Sequence, residues 1–336
     1  MSNDASRTTT ATPGTEPSSP RRRFPTVMGS WRTAGISIPF VILFVVLSIS
    51  SSAFLHTSNL INILDQQAST LCIAAAGTLV LVAGGIDLSV GSTYALAGVT
   101  AGEIGQHHSI YLAIAVAILV GLAVGFANGV VVTVFKISPL ITTLAMSYVI
   151  QGLALKITAG NLILTGTIPG FTTFATASFL SVPSAVWITL VFVVALALLL
   201  SRTTIGRYVV AAGGNAEAAR LAGVNVGAIR ISTFVLSGLA AALGGVIDAS
   251  RLGSILANSG GATLSFTVLA GIVVGGTSIA GGEGSGWRTA IGVLFIALIG
   301  NGFDLLGVDP NWQQMVLGLI LLVAVGLDMW TRRARR

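Results

Sequence analysis

Charge is what this sequence has least of. Asp, Glu, Lys and Arg make up only 8% of its 336 residues, against about 25% in a soluble domain, so it cannot clothe a water-facing surface. Lysine is nearly missing. Lys136 and Lys156 are not preceded by glycine, which excludes the Gly-Lys phosphate loop of nucleotide hydrolases. The lone cysteine, Cys72, sits in an apolar run and can form neither an internal disulfide nor a thiolate zinc site, so helix packing is its expected use. His56, His107 and His108 lack Cys, Asp or Glu at ligand spacing, and no metal site is expected. No Ser-His-Asp set can be assembled from them. The chain reads as a non-enzyme with no catalytic residue. Its net charge of +6 comes from arginines at the ends of apolar runs, a pattern of membrane topology rather than nucleic-acid binding.

What is present is hydrophobic length. Apolar residues make up 54% of the chain and the mean hydropathy is +0.92, so the expected solvent is a lipid bilayer. Spanning-length runs recur at about 35–55, 66–84, 88–104, 111–134, 138–157, 184–201, 230–250, 262–279, 288–304 and 312–330. The predicted fold is all-α, a polytopic membrane protein of about ten transmembrane helices, with residues 34–330 as the membrane domain. Residues 1–33 are Ser/Thr/Pro-rich with Arg21, Arg22 and Arg23 together, a composition expected to form a disordered cytoplasmic tail rather than a signal peptide. Residues 331–336 read as a basic cytoplasmic tail.

Basic residues orient these helices. With the N-terminus inside, fifteen of the seventeen Lys and Arg fall in cytoplasmic segments and only Lys156 and Arg251 fall outside. Both termini are then cytoplasmic, as is the 202–230 loop. Within that loop "NAEAARLAG" reads as a short helix: Asn215 caps it, Ala216, Ala218, Ala219 and Leu221 favour it, and Gly223 ends it. The segment is either a plain connector or a docking surface. A capped helix between glycines, in a chain that cannot supply its own energy, favours docking.

Glycine and the buried polar residues complete the reading. "GGEGSGW", Gly281 to Trp287, is expected as a tight cytoplasmic turn. Gly121, Gly125 and Gly129 in one helix and Gly238, Gly244 and Gly245 in another have the small-residue spacing of close helix contacts. Asp87, in "GGIDLSVG", needs a reason, because a carboxylate near the bilayer centre costs roughly 2.5–3.5 kcal/mol unless paired or wet. Either it caps the following helix at the interface beside Ser89, or the break lies deeper and Asp87, Ser89 and Ser92 border a translocation path. Asn128, Thr142, Thr143 and Asn301 are also path candidates, although each could instead bond another helix.

"EAARLAG", Glu217 to Gly223, resembles the EAA signature of ATP-binding-cassette (ABC) importer permeases. Together with "GGIDLSVGS", "NGVVVTVFKISPLITTLAM", "GRYVVAAGGNAEAARLAGVNV" and "VVGGTSIAGGEG", it is similar to the ribose/xylose/galactoside permease family from about Asn59 to Asp328. The resemblance implies a monosaccharide importer in the bacterial plasma membrane. It also implies that a cytoplasmic helix, here Asn215, Glu217, Ala218, Ala219, Arg220, Leu221 and Gly223, inserts into an ABC ATPase subunit. ATP and Mg would reside in that subunit and no cofactor in this chain. An extracytoplasmic sugar-binding protein and a second permease copy complete the expected assembly. Two positions depart from the family: "GGATLSFTVLAGIVVGGTS" lacks the acids common before "GGTS", and Gln151 stands where an arginine is often seen. The resemblance therefore assigns no particular sugar. Nucleosides, sugar-like signals and branched-chain amino acids remain alternative cargoes. A secondary transporter is the rival class, disfavoured because the acids look scattered along the sequence.

Overall fold

The apolar runs become helices in the computed structural model, which describes residues 27–309 and 311–333. In chain order these are α1 (Val27–Ser50), α2 (Thr57–Gln66), α3 (Ala68–Val82), α4 (Val90–His107), α5 (Ile110–Thr133), α6 (Pro139–Thr158) and α7 (Thr173–Thr176). A hairpin of β1 (Ser178–Phe179) and β2 (Val182–Pro183) follows. Then come α8 (Ser184–Arg202), α9 (Thr204–Gly214), α10 (Ala216–Leu221), α11 (Val226–Leu252), α12 (Gly261–Val274), α13 (Gly286–Leu305) and α14 (Asn311–Arg333). Every predicted run lies on a helix. Helices α5, α6, α8, α11 and α13 are long and apolar enough to cross a membrane, and shorter apolar stretches lie in α1, α3, α12 and α14. The architecture is that of a polytopic membrane protein.

Three features depart from the sequence reading. The hairpin, turned by Leu180 and Ser181 at φ 54° and 61°, and an isolated bridge between Ile163 and Ile255 are small exceptions to an all-α chain. Helix α1 begins at Val27, inside the expected tail of residues 1–33. Once the apolar turns are formed, each added residue gains one backbone bond, and no proline interrupts the stretch before Pro39. The rest of that tail, residues 1–26, lies outside the described residues. Likewise α14 continues to Arg333, past the expected boundary at 330, and residues 334–336 lie outside the description.

Helix α11 is the axis of the packing, and glycine sets how near its neighbours come. A β-carbon at Gly121 or Gly125 of α5 would run into the carbonyl of Gly238 or Phe234, and one at Gly245 into that of Tyr94 on α4. Such backbone approach is what small residues permit between membrane helices. Helix α3 runs antiparallel to α11, with Ser69 beside Asp248, Ile73 beside Gly244 and Val80 packed with Phe234. Helix α4 runs the same way as α11, with Asp87 just before it against Ser237 and Tyr94 reaching Asp248. So α3 and α4 flank α11, and the residues joining them, 83–89, must reverse the chain against its side.

Candidate translocation and coupling sites

That reversal starts at a glycine. Helix α3 closes with Gly84 at φ 83°; its N–H donates to the Leu81 carbonyl at 3.0 Å and that of Gly85 to Val80 at 2.9 Å. This double bond with a left-handed glycine is a Schellman ending. The chain then climbs beside α11 until α4 begins at Val90. Ser237, the partner of Asp87, lies eleven residues beyond Val226, about 16 Å along α11 at 1.5 Å per residue. The break is thus well inside the helical layer.

Asp87 is not a helix cap there. Its Oδ1 accepts from the N–H of Ser89 at 3.0 Å and from the Ser89 hydroxyl at 2.6 Å, and Oδ2 accepts from the Ser237 hydroxyl at 2.8 Å. The cap position belongs to Ser89, whose side chain makes no capping bond. The capping alternative is therefore replaced by a local turn cross-linked to α11, because the carboxylate lies too far ahead of α4 to reach its free N–H groups. Asn128 of α5 extends the net, its Nδ2 donating to the Ser89 hydroxyl at 2.8 Å. Thr143 of α6 accepts from the Leu88 N–H at 3.0 Å.

The structure thus gathers Asp87, Ser89, Asn128 and Thr143 around one break. Ser92 is buried one turn into α4, and Thr142 is buried on α6. The side-chain oxygen of Asn128 and the hydroxyl of Thr142 are buried without a hydrogen-bond partner. Asn301 is elsewhere: its amide exchanges bonds of 2.9 and 3.2 Å with Asn59, tying α13 to α2. Sequence reasoning missed Ser237 and also Ser265, whose hydroxyl donates to the Leu88 carbonyl at 2.9 Å and accepts from the Gly91 N–H at 3.1 Å. A lone serine in an apolar helix gives no sign of the turn it faces.

A second buried network was also missed. Asp248 is 7% exposed. Its Oδ2 accepts from Ser69 at 2.6 Å and Tyr94 at 2.8 Å, and its Oδ1 is 3.1 Å from the Arg251 guanidinium. Arg251 also stands 4.0 Å from Asp65. Burial pushes the Asp65 carboxyl above its usual value, Arg251 opposes that rise and Asp248 adds to it. The acids are therefore not all scattered: Asp65 and Asp248, far apart in sequence, share one arginine. The i, i+3 spacing of Asp248 and Arg251 was the available clue. Cys72 is buried against Thr189. Among the described residues no group of His, Cys, Asp and Glu could hold a metal ion.

The 202–230 loop forms two helices, α9 and α10, rather than one. Asn215 caps α10, its side-chain oxygen accepting from the Ala218 N–H at 3.0 Å. Gly223, at φ 83°, ends it with a second Schellman pair, Val224 N–H to Ala219 at 3.0 Å and Gly223 N–H to Arg220 at 2.9 Å. Ala219 turns inward onto Ala212 and Val226. Outward point Glu217 and Arg220, paired at 3.3 Å, and Leu221, 85% exposed. A leucine so bare on a six-residue helix lowers its free energy only by meeting something apolar.

Helix α9 anchors this unit. A β-carbon at Gly213 would strike the Val82 carbonyl, and that same carbonyl accepts from the Gly282 N–H at 2.8 Å. The "GGEGSGW" segment is indeed a tight turn, with Gly281 and Gly282 at φ 84° and 78°. Arg230 adds a bond from Nε to the Ala83 carbonyl at 3.3 Å. The Gly213, Gly282 and Arg230 contacts converge on the end of α3, a few residues before Asp87, while Ala212 and Ala219 pack on Val226 of α11.

Residues 59–325 match a family described as the permease component of branched-chain amino acid transport systems. The chain belongs to this permease family. Among curated proteins it is similar to the ribose import permease protein RbsC of Escherichia coli K12, 37% identical over 87% of this chain and 92% of that one. The RbsC of Bacillus subtilis 168 is 39% identical over 89% and 94%. The L-arabinose ABC transporter permease protein AraH of Azospirillum brasilense is 37% identical over 92% and 91%. No solved structure matches. The permease assignment makes the chain a transport component rather than an enzyme.

Proposed function

We propose that this chain is the membrane-spanning subunit of an ATP-driven monosaccharide importer in the bacterial plasma membrane, carrying a ribose-like or other pentose or hexose sugar. It crosses the membrane about ten times with both termini and the 202–230 loop inside. Two copies form the pore, an extracytoplasmic binding protein delivers the sugar, and an ABC ATPase that carries ATP and Mg engages α10. The similarity to ribose and arabinose permeases over most of the chain supports the cargo class. The polar break supports it chemically, since hydroxyls and an amide suit an uncharged, hydroxyl-rich solute. Asp87, Ser89, Ser92, Asn128, Thr142 and Thr143 border the path. Asn301 does not join that cluster and serves the α2–α13 contact.

The observation that carries the coupling role is the brace at Gly213. A load on Leu221 and its neighbours passes through α9 to the Val82 carbonyl with no side chain between them to yield, and from there to the break at Asp87. Packed backbone is a stiff connection.

Gly223→Pro tests this. Proline fixes φ near −65° and has no N–H, so it loses both the φ of 83° and the bond to Arg220. Glu217→Gln keeps the shape of the helix. The expected result is that Gly223→Pro inserts and binds the receptor protein normally, yet loses ATPase co-purification, substrate-stimulated hydrolysis and uptake at least tenfold, about 1.4 kcal/mol. Glu217→Gln stays within about twofold, as expected for an exposed pair. Wild-type values for Gly223→Pro on all three measurements would make the loop a connector. Uptake of labelled ribose, arabinose and leucine in the reconstituted complex separates sugar from branched-chain amino acid cargo.

A further inference from the structure

Beside α10 lies a cavity of about 340 Å³, to which the transport reading assigns no ligand. It opens between the α5–α6 turn, α10 and the start of α11. Lys136, Arg220 and Arg230 line it, and no acidic residue does. Glu217 pairs with Arg220 from outside that lining. The hydroxyl of Thr133, also in the lining, is buried without a hydrogen-bond partner. Lys136 is held at φ 56°, a left-handed conformation that L residues adopt sparingly and that concentrates at functional clamps. Glu217 offsets Arg220 alone, so Lys136 and Arg230 still repel each other across the cavity unless an anion joins them.

The surroundings say what kind of anion. Immediately beside the cavity, Val134 and Phe135 are exposed, and from Leu140 and Ile141 an exposed apolar stripe continues along α6 through Leu144, Tyr148 and Leu155. A free phosphate has no use for that stripe, and an acidic protein side chain would cover only its first turn. A molecule with a phosphate at one end and two acyl chains behind it fits both parts. Basic pockets between membrane helices favour anionic head groups, each basic residue contributing about fivefold in binding.

From this geometry we infer that the cavity lined by Lys136, Arg220 and Arg230 binds the phosphate of an anionic glycerophospholipid whose chains lie along α6. The lipid ties the α5–α6 turn to the base of α10. The inference needs this cavity to open at the membrane surface and does not depend on which solute is carried.

The test uses the full-length chain, extracted and exchanged into equal phosphatidylglycerol and phosphatidylcholine, with retained lipid counted by native mass spectrometry. Wild type is expected to retain phosphatidylglycerol about tenfold over phosphatidylcholine. Lys136→Gln is expected to lower that ratio about fivefold, and Lys136→Arg to keep it. A photoreactive phosphatidylglycerol should cross-link wild type within residues 132–141, an arm that requires no variant to fold. Adding the ATPase subunit should leave the lipid in place, and millimolar inorganic phosphate should not displace it. The inference is overturned if wild type shows no head-group preference, if Lys136→Gln folds and keeps the wild-type ratio, or if the cross-link falls elsewhere. Displacement by inorganic phosphate would make this a small-anion site. Displacement by the ATPase would make it part of the docking interface; either result overturns the lipid assignment.

Discussion

Asp87 is held against α11 and Asp248 stands on it, yet their charges are met in opposite ways. Around Asp87 the partners are two serine hydroxyls and one backbone N–H, with Asn128 supporting from behind. Around Asp248 they are a serine, a tyrosine and a guanidinium, with Asp65 close to the same arginine. Each hydroxyl bond is individually modest and can be exchanged for another hydroxyl; an ion pair inside protein cannot be opened without stranding a charge. The two sites, about 16 Å apart on one helix, therefore suit different duties. The Asp87 net joins α4, α5 and α11 through groups that can re-pair with a solute or with each other. The Asp248 pair locks α3, α4 and α11 in one arrangement.

The largest expected effect tests the lock. Asp248→Ala leaves Arg251, 18% exposed, with only the 4.0 Å contact to Asp65, and breaking one side of such a largely buried pair costs up to about 3–5 kcal/mol. A sharp loss of thermal stability in detergent and of folded yield is expected. Replacing all three charges, Asp248→Leu and Arg251→Leu with Asp65→Asn, should be milder than Asp248→Ala alone, because no charge is then stranded. Equal losses in the single and triple variants would mean that the guanidinium is not what makes Asp248 different from Asp87.

A smaller effect is expected at the break. Asp87→Ala strands the hydroxyls of Ser89 and Ser237, a cost of about 1–3 kcal/mol, whereas Ser237→Ala removes one of several donors and should cost about 1 kcal/mol. Uptake by the reconstituted importer should fall more than stability does in both variants, because the net is placed at the break that α9 braces. The comparison fails if Asp87→Ala matches Asp248→Ala in stability loss, since the hydroxyl net would then be a second lock.

How much of this was legible follows from the physics of each feature. Apolar runs announce membrane helices because every backbone group in lipid must be paired internally, so each run became a helix. Asn215 and Gly223 announced α10 because caps are local chemistry. Helix α9 was missed because "TIGRYVVAAGG" carries three glycines, which read as loop until tertiary contact at Gly213 explains one of them. The partners of Asp87 and Asp248 were missed for another reason. They are 150 and 179 residues away at Ser237 and Ser69, and nothing in a single sequence encodes such pairs. Asn301 was grouped with the path on polarity alone, and polarity does not say which helix an amide faces.

The smallest expected effect lies there. Asn301 and Asn59 bond each other reciprocally, so Asn301→Ala, Asn59→Ala and the double variant form a closed cycle. Each single change should cost about 0.5–1.5 kcal/mol, and the double should cost less than the sum, because the second truncation removes a group already stranded by the first. Uptake per folded transporter should remain within about twofold of wild type, as an amide pair between α2 and α13 touches neither the Asp87 net nor the brace at Gly213. A selective loss of uptake in Asn301→Ala, with Asn59→Ala unaffected, would return Asn301 to the path and give the solute a contact outside the α3–α4 break. The hydroxyl net would then be one of two contacts along a longer route, and its contrast with the Asp248 lock would have to be drawn across both.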